Sequence, residues 1–172
     1  MPVFRIEVAP KKSRPDLLGL GILGEICSDL SFFGIEQLRT ASLFEINANL
    51  GDEAIMGLCG NLFVDPITDE FSVNSHLFED FDFCLEVGFL SGVTDNVGLT
   101  AKRGIEDFLG KKLGEAASVK SKKLYFFWGK LFEENVREIA VQKLFNSLIE
   151  EIRVHRGKKG DLPGFAGGWE NK

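Results

Sequence analysis

Two short stretches, FRIEV at Phe4–Val8 and FCLEV at Phe83–Val87, differ at only two positions and lie 79 residues apart. Each has apolar residues at every second position, which is the period of a β-strand with one face in a core. Such self-similarity at a long, fixed spacing indicates an internal repeat. The two stretches therefore predict that the chain contains two copies of one folding unit.

The repeat extends well beyond these strands. The offset of 79 also relates Asp16 to Asp95, Gly19 to Gly98 and Leu20 to Leu99. Further along, the offset becomes 81 and relates Leu43 to Leu124, Ile55 to Val136, Leu58 to Ile139 and Val73 to Val154. A two-residue insertion between Leu109 and Val119 explains the change, because loops tolerate added length best. We predict units at residues 1–76 and 77–156, followed by a glycine-rich linker or tail at 157–172.

Within each unit, the pattern predicts the order strand, helix, strand, helix, strand. The second helices carry apolar stripes, formed by Ile55, Leu58, Cys59 and Leu62 in one copy and by Val136, Ile139, Ala140 and Leu144 in the other. A helix with one apolar stripe must lie on another layer. We predict an α+β fold of two tandem ferredoxin-like two-layer sandwiches, with helices on one face of a mainly antiparallel sheet. The long middle segment of each unit fits either one bent strand or a pair of strands.

Composition excludes several classes of function. The net charge of −6 argues against general nucleic-acid binding, which needs clustered basic residues. No apolar run reaches the roughly 18 residues of a membrane-spanning helix. The cysteines, Cys27, Cys59 and Cys84, form no CxxC pair, so we expect small core residues in a reducing cytoplasm. His76 and His155 fit no metal-ligand spacing.

The predicted helices differ in how well the residue before the first turn can cap them. Asp16 and Asp95 are suited to cap the first helices through their carboxylates. Anion binding at these glycine-containing loops is the alternative. The second helices instead begin after Gly51, where Ser or Thr is the commoner cap, and after Phe132, which is a poor cap. Phe132 is therefore a candidate for a contact with a partner.

The segment KLYFFWGKL at Lys123–Leu131 is apolar on both faces of a predicted strand. Helices can cover only one of these faces. Either the other copy buries the second face, or this face binds a partner or a second chain. The candidate interface residues are Tyr125, Phe127 and Phe132, together with Trp169 of the tail, where Phe165 is a further aromatic residue able to dock on a neighbour.

Three motifs carry a resemblance to a known family: EVGFLSGVTDNVG at Glu86–Gly98, AKRGIEDFLGKKLG at Ala101–Gly114 and LFVDPITDEFSV at Leu62–Val73. With them, residues from about Val3 to Arg156 resemble the tandem small-subunit-type (PurS-like) region at the N-terminus of phosphoribosylformylglycinamidine synthase. The first copy departs from the family pattern at KKSRPDLLGLG, where a turn with glycine and aspartate is more usual.

The resemblance implies a noncatalytic role in purine biosynthesis. The whole enzyme uses ATP, magnesium and glutamine to convert formylglycinamide ribonucleotide into the amidine. The PurS-like region of that family bridges the large synthetase domain and the glutaminase. The resemblance thus implies the synthetase domain and the glutaminase as partners, and a homodimer through sheet faces. It also implies that this chain has no catalytic, cofactor-binding or metal-binding residue.

Two other classes of function are open to such a fold. One is a regulatory pair of ferredoxin-like domains that binds a small ligand, such as an amino acid, between the copies. The other is a phosphatase of the acylphosphatase type, which needs an arginine in the loop after the first strand. Arg14 meets that need in copy one, but copy two has no basic residue from Gly88 to Thr94, which disfavours this class.

Overall fold

The structure is a computed structural model that describes residues 1–157, and within them it confirms the α+β class. Six strands and four α-helices follow the predicted order in each half of the chain. α2 and α4 each continue into a π-helical turn, at Cys59–Phe63 and Ala140–Leu144. The elements are β1 (Val3–Pro10), α1 (Leu17–Leu30), β2 (Ile35–Asn47), α2 (Asp52–Leu58), β3 (Asp69–Val73), β4 (Phe83–Phe89), α3 (Asn96–Leu109), β5 (Ser118–Gly129), α4 (Glu133–Ile139) and β6 (Glu150–Arg156).

All six strands form one antiparallel sheet in the order β3-β1-β2-β5-β4-β6. The middle segment of each half is a single long strand, and these two strands, β2 and β5, pair at the centre of the sheet. Ser42 lies opposite Lys123, which is the residue 81 positions later. An approximate twofold axis therefore passes between these two residues and relates the halves.

Each first helix begins at an aspartate that also binds the neighbouring strand. Asp16 accepts from the Gly19 N–H at 2.9 Å, and from the Thr40 N–H and hydroxyl at 2.5 and 2.9 Å. Asp95 accepts in the same way from the Gly98 N–H and from both donors of Ser121. The predicted caps are confirmed, and each carboxylate occupies the helix end where an anion would bind.

Glycine is required one turn into these helices because the helix lies directly on the strand. A Cβ on Gly19 would lie 2.7 Å from the Leu38 carbonyl oxygen, and one on Gly98 would lie 2.5 Å from that of Val119. Real Cβ atoms essentially never approach so closely. The Asp-x-x-Gly spacing in both copies thus serves helix–strand packing as well as capping.

We expect Asp16→Ala and Asp95→Ala each to lower the free energy of unfolding by about 2–4 kcal/mol. The loss combines a missing cap with a strand N–H left without its acceptor. Denaturant titration of the full chain measures this effect. Asp52→Ala, in the first turn of α2 and outside any cap bond, is the matched control and should change stability by roughly 0.5 kcal/mol or less. Equal losses for all three variants would contradict the capping argument.

The helices cover one face of the sheet, and each half supplies part of the other's core. Ile26 of α1 packs with Leu85, Phe127 and Val136 of the second half. Conversely, Ile105 of α3 belongs to the cluster of Ile46, Ile55 and Leu58 in the first half. The packing of each half on the other is therefore part of the hydrophobic core.

Candidate functional site

The structure places the sequence-predicted interface residues in different environments. Tyr125 and Phe127 are buried in the core under the helices. Phe132 is 75% exposed at the start of α4. Trp169 and Phe165 lie outside the described residues. Of the four candidate residues, Phe132 is thus the one that the structure places at the surface.

The second face of β5, opposite the helices, is closed by the chain itself. The connecting segment, residues 74–82, runs from β3 to β4 across this face. Phe78 and Phe81 place their rings edge-on to Phe126, with centroid distances of 5.0 and 5.1 Å. Phe126 is fully buried by these contacts. The apolar second face of the KLYFFWGKL strand is therefore covered within one chain.

Polar contacts hold the connecting segment in place at both ends. Glu7 accepts from the Leu77 N–H at 2.9 Å, and its other oxygen lies 2.8 Å from Nδ1 of His76. At the far end, Asp82 donates its N–H to the Phe127 carbonyl and accepts from the Gly129 N–H, both at 2.8 Å. In the sequence, the aromatic residues Phe78 and Phe81 were the feature that could have predicted that this segment covers β5.

Beside the connecting segment lies a group of four charged side chains, one from each of the four central strands. We call it the ionic ring: Arg5 of β1, Glu45 of β2, Lys122 of β5 and Glu86 of β4. Lys122 lies 2.5 Å from Glu86 and 2.9 Å from Glu45, Arg5 lies 2.9 Å from Glu86, and Arg5 also pairs with Glu45. The ring joins the two halves across the sheet.

Burial and charge act in opposite directions on Glu86. Burial by itself raises the pKa of its carboxyl, but the hydrogen bond from Lys122 and the charge of Arg5 outweigh it, so the pKa lies below its usual value. In the same region, burial and the nearby Glu7 and Glu86 carboxylates raise the pKa of the Cys84 thiol. Burial lowers the pKa of His155. With its pKa lowered, Glu86 is negatively charged at neutral pH and pairs with Arg5 and Lys122.

Sequence periodicity did not predict the ionic ring, because its members come from four strands. Under the 79- and 81-residue offsets, Glu86 corresponds to Glu7, but Arg5 corresponds to Cys84 and Glu45 to Phe126. The twofold thus relates a charged region on one side to an apolar region on the other. The connecting segment covers the apolar region.

Glu86→Gln should lower the free energy of unfolding by about 3 kcal/mol at neutral pH, because it removes the buried carboxylate that pairs with both Arg5 and Lys122. Glu151→Gln is the control, since Glu151 lies on the same sheet face but is half exposed, and it should cost under about 0.5 kcal/mol. Chemical denaturation of both variants measures the difference, and matching losses would show that burial of the ring is unimportant.

The free energy of unfolding of Glu86→Gln should depend less on acid pH than that of the wild type. A carboxyl whose folded pKa is depressed contributes stability above its unfolded pKa, near the ordinary 4.5, and that stability is lost as the pH falls through the folded value. The gap in unfolding free energy between the wild type and Glu86→Gln should therefore narrow on going from about pH 7 to about pH 3. A constant gap would contradict a charged Glu86 in the folded state.

Exposed apolar residues form a different kind of surface, and several occur in matched positions. Both halves expose large apolar side chains early in their first helix and in the turn before their last strand. The matched exposed pairs are Leu18 and Val97, Leu20 and Leu99, and Ile67 and Leu148. Exposed apolar groups of this size mark candidate contact surfaces when they are grouped.

The cysteines and potential metal ligands are also placed by the structure. All three cysteines are free thiols, and Cys59 and Cys84 are core residues as predicted. Burial raises the pKa of Cys59 to about 11. Within residues 1–157, no three His, Cys, Asp or Glu side chains are grouped so that they could hold a metal ion. Over the same residues, the helices are too short or too polar to cross a membrane.

No protein-family model and no curated protein matches this chain.

Proposed function

We propose that this chain is a noncatalytic assembly region of phosphoribosylformylglycinamidine synthase. It would be of the tandem PurS-like, ferredoxin-related type and would bridge the large synthetase part and the glutaminase. The motifs at Leu62–Val73, Glu86–Gly98 and Ala101–Gly114 support this proposal through their resemblance to that region. A cytoplasmic location, where purine synthesis takes place, is part of the proposal.

The observation that carries the proposal is the duplicated set of exposed apolar residues. A bridging module needs two contact surfaces. The twofold relation between the halves places Leu18 and Leu20 on one side of its axis and Val97 and Leu99 on the other. Large exposed apolar groups favour contact with other proteins over contact with water. Two related surfaces on one rigid sheet fit the joining of two larger proteins.

The charged groups support a structural role as well. The ionic ring links β1, β2, β5 and β4, and its cations and carboxylates satisfy each other. Each of these largely buried charges is already paired with an opposite charge from a neighbouring strand, which suits a role in joining the strands more than a role in acid–base chemistry. In this proposal, ATP, magnesium and glutamine act on the other parts of the enzyme.

Reconstitution with the synthetase and glutaminase of the same genome tests the proposal. We expect glutamine-dependent amidine formation to require this chain, because the chain would hold the two proteins together. Synthesis from added ammonia should depend on it much less. Full glutamine-dependent activity without the chain would overturn the proposal, and thermal stabilisation by a free amino acid would favour the regulatory alternative.

Surface variants test which residues make the contacts. The double variants Leu18→Ser with Leu20→Ser, and Val97→Ser with Leu99→Ser, should each weaken co-purification of a partner at least about tenfold, the effect of losing roughly 1.4 kcal/mol of binding. Val141→Ser is the control, because Val141 is exposed but its counterpart in the first half is Gly60. If the control weakens binding as much as the double variants, the matched surfaces are not the contact sites.

A further inference from the structure

One end of the sheet carries two aromatic residues that the core does not use. Phe33 and Phe132 are the most exposed phenylalanines of residues 1–157, at 76% and 75%. They lie in adjacent loops, since the Lys130 N–H donates to the Gly34 carbonyl at 2.7 Å and Gly129 pairs with Ile35. We call this region, with the groove beside it, the aromatic end.

The groove runs between the C-terminal part of α1 and α4. It is lined by the apolar Leu30, Phe32 and Ile139, and by Glu138 and Asp29, of which Asp29 is paired with Lys143. Glu134 precedes Glu138 by one helical turn, which places both carboxylates along one face of α4. An occupant with aromatic side chains and positive charge fits such a site.

The chain itself supplies a segment of that chemistry. Residues 158–172 contain Phe165 and Trp169 and have a net charge of +1, from three lysines against Asp161 and Glu170. This segment leaves the described structure at the same end of the sheet, because the Gly157 N–H donates to the carbonyl of Asp82 at 2.9 Å. Asp82 in turn accepts from the Gly129 N–H through its side chain.

The distances permit contact within one chain. β6, β4 and β5 are neighbours, so about 10 Å separates the exit point on β6 from the end of β5. Phe165 lies eight residues beyond Gly157, and eight extended residues reach roughly 26 Å. A short tether also gives a high effective concentration, which favours this contact over one with a separate molecule.

We propose that the segment 158–172 docks on the aromatic end of its own chain, with Phe165 and Trp169 against Phe33, Phe132 and the groove between α1 and α4. This inference is independent of the proposed function, because it concerns contacts within one chain. Aromatic pairs and apolar burial would supply the attraction. The lysines would lie near the carboxylates of α4.

Tryptophan fluorescence tests the proposal in the full chain. Trp128→Phe leaves Trp169 as the single tryptophan. We expect its emission to be blue-shifted and shielded from a soluble quencher, at every protein concentration. Phe33→Ser and Phe132→Ser should each shift the emission toward that of water-exposed indole. Leu148→Ser, at the opposite end of β6, should leave it unchanged. A water-exposed emission that ignores all three variants would overturn the proposal, and so would a shift that requires dimer formation.

Hydrogen exchange gives a second readout that needs no substitution. The full chain is compared with a chain that ends at Gly157. Docking predicts slower exchange for the backbone of residues 130–136 in the full chain, with no change in the turn that contains Leu148. Equal exchange at residues 130–136 in the two chains would contradict docking even if a tryptophan variant failed to fold.

Discussion

Separated halves of this chain, residues 1–79 and 80–172, are each expected to remain unfolded alone and to fold when mixed. The division falls between Glu79 and Asp80, which are both exposed. Either half alone loses the partner strand along the whole length of β2 or β5. It also loses core contacts, since Ile26 and Ile105 pack in clusters completed by the other half. A half of this size has little core to offset its conformational entropy.

The sheet face opposite the helices explains why each half should pair with the other half and not with a second copy of itself. A homodimer of the first half would use the same twofold pairing of β2. It would then place Glu45 where Phe126 now lies, under Phe78 of the connecting segment. Since Arg5 of the same copy would take the place of Cys84, the homodimer would bury the whole Arg5–Glu45 ion pair among aromatic rings, at a cost in desolvation. The pairing of unlike halves leaves that ion pair beside Lys122 and Glu86 and puts the apolar Cys84 and Phe126 under the rings.

Circular dichroism and amide NMR spectra of each fragment and of the mixture measure this expectation. The control is the intact chain cleaved at a protease site inserted after Glu79, which should stay folded as a complex. Cooperative unfolding of either fragment by itself would show that the halves are independent domains. It would remove the argument that each half completes the core of the other.

Phe126→Ala is expected to lower the free energy of unfolding by about 3–5 kcal/mol, the usual range for a buried phenylalanine. Phe126 is fully buried between the sheet and the connecting segment. Its loss leaves a cavity next to Phe78, Phe81 and Trp128, whose rings surround it. The segment that joins the two halves would then lose its main apolar contact.

Denaturant titration compares this variant with Phe108→Ala, which removes the same atoms from a position that is 46% exposed. The control should change stability by roughly 1 kcal/mol or less. Faster proteolysis within residues 74–82 of Phe126→Ala would locate the loss at the connecting segment. A change under about 1 kcal/mol for Phe126→Ala would mean that this segment does not depend on the apolar face it covers.

Local sequence features predicted much of the secondary structure. The alternation in FRIEV and FCLEV predicted β1 and β4, and the apolar stripes predicted α2 and α4. The aspartates at the starts of the predicted first helices, Asp16 and Asp95, predicted the caps. Strand alternation, helical stripes and caps involve residues close together in sequence, so a single stretch contains the information for each.

The aromatic end and the buried positions of Tyr125 and Phe127 were less predictable from the sequence. Phe132 was found through its poor capping chemistry, but Phe33 was missed because nothing in its own loop marks it as a neighbour of Phe132. Tyr125 and Phe127 carried the same apolar signal whether they faced helices or a partner. The tertiary structure, with β5 at the centre of the sheet, shows that the helices bury both residues.

The sequence by itself determined the repeated order of strands and helices, the starts of α1 and α3, and the two apolar faces of β5. Only the tertiary structure decided that both halves share one sheet, that each helps to build the other's core, and that residues 74–82 cover one face. The physical reason is distance along the chain. Pairs such as Ser42 with Lys123, or Arg5 with Glu86, depend on which strands become neighbours, and local periodicity contains no record of that choice.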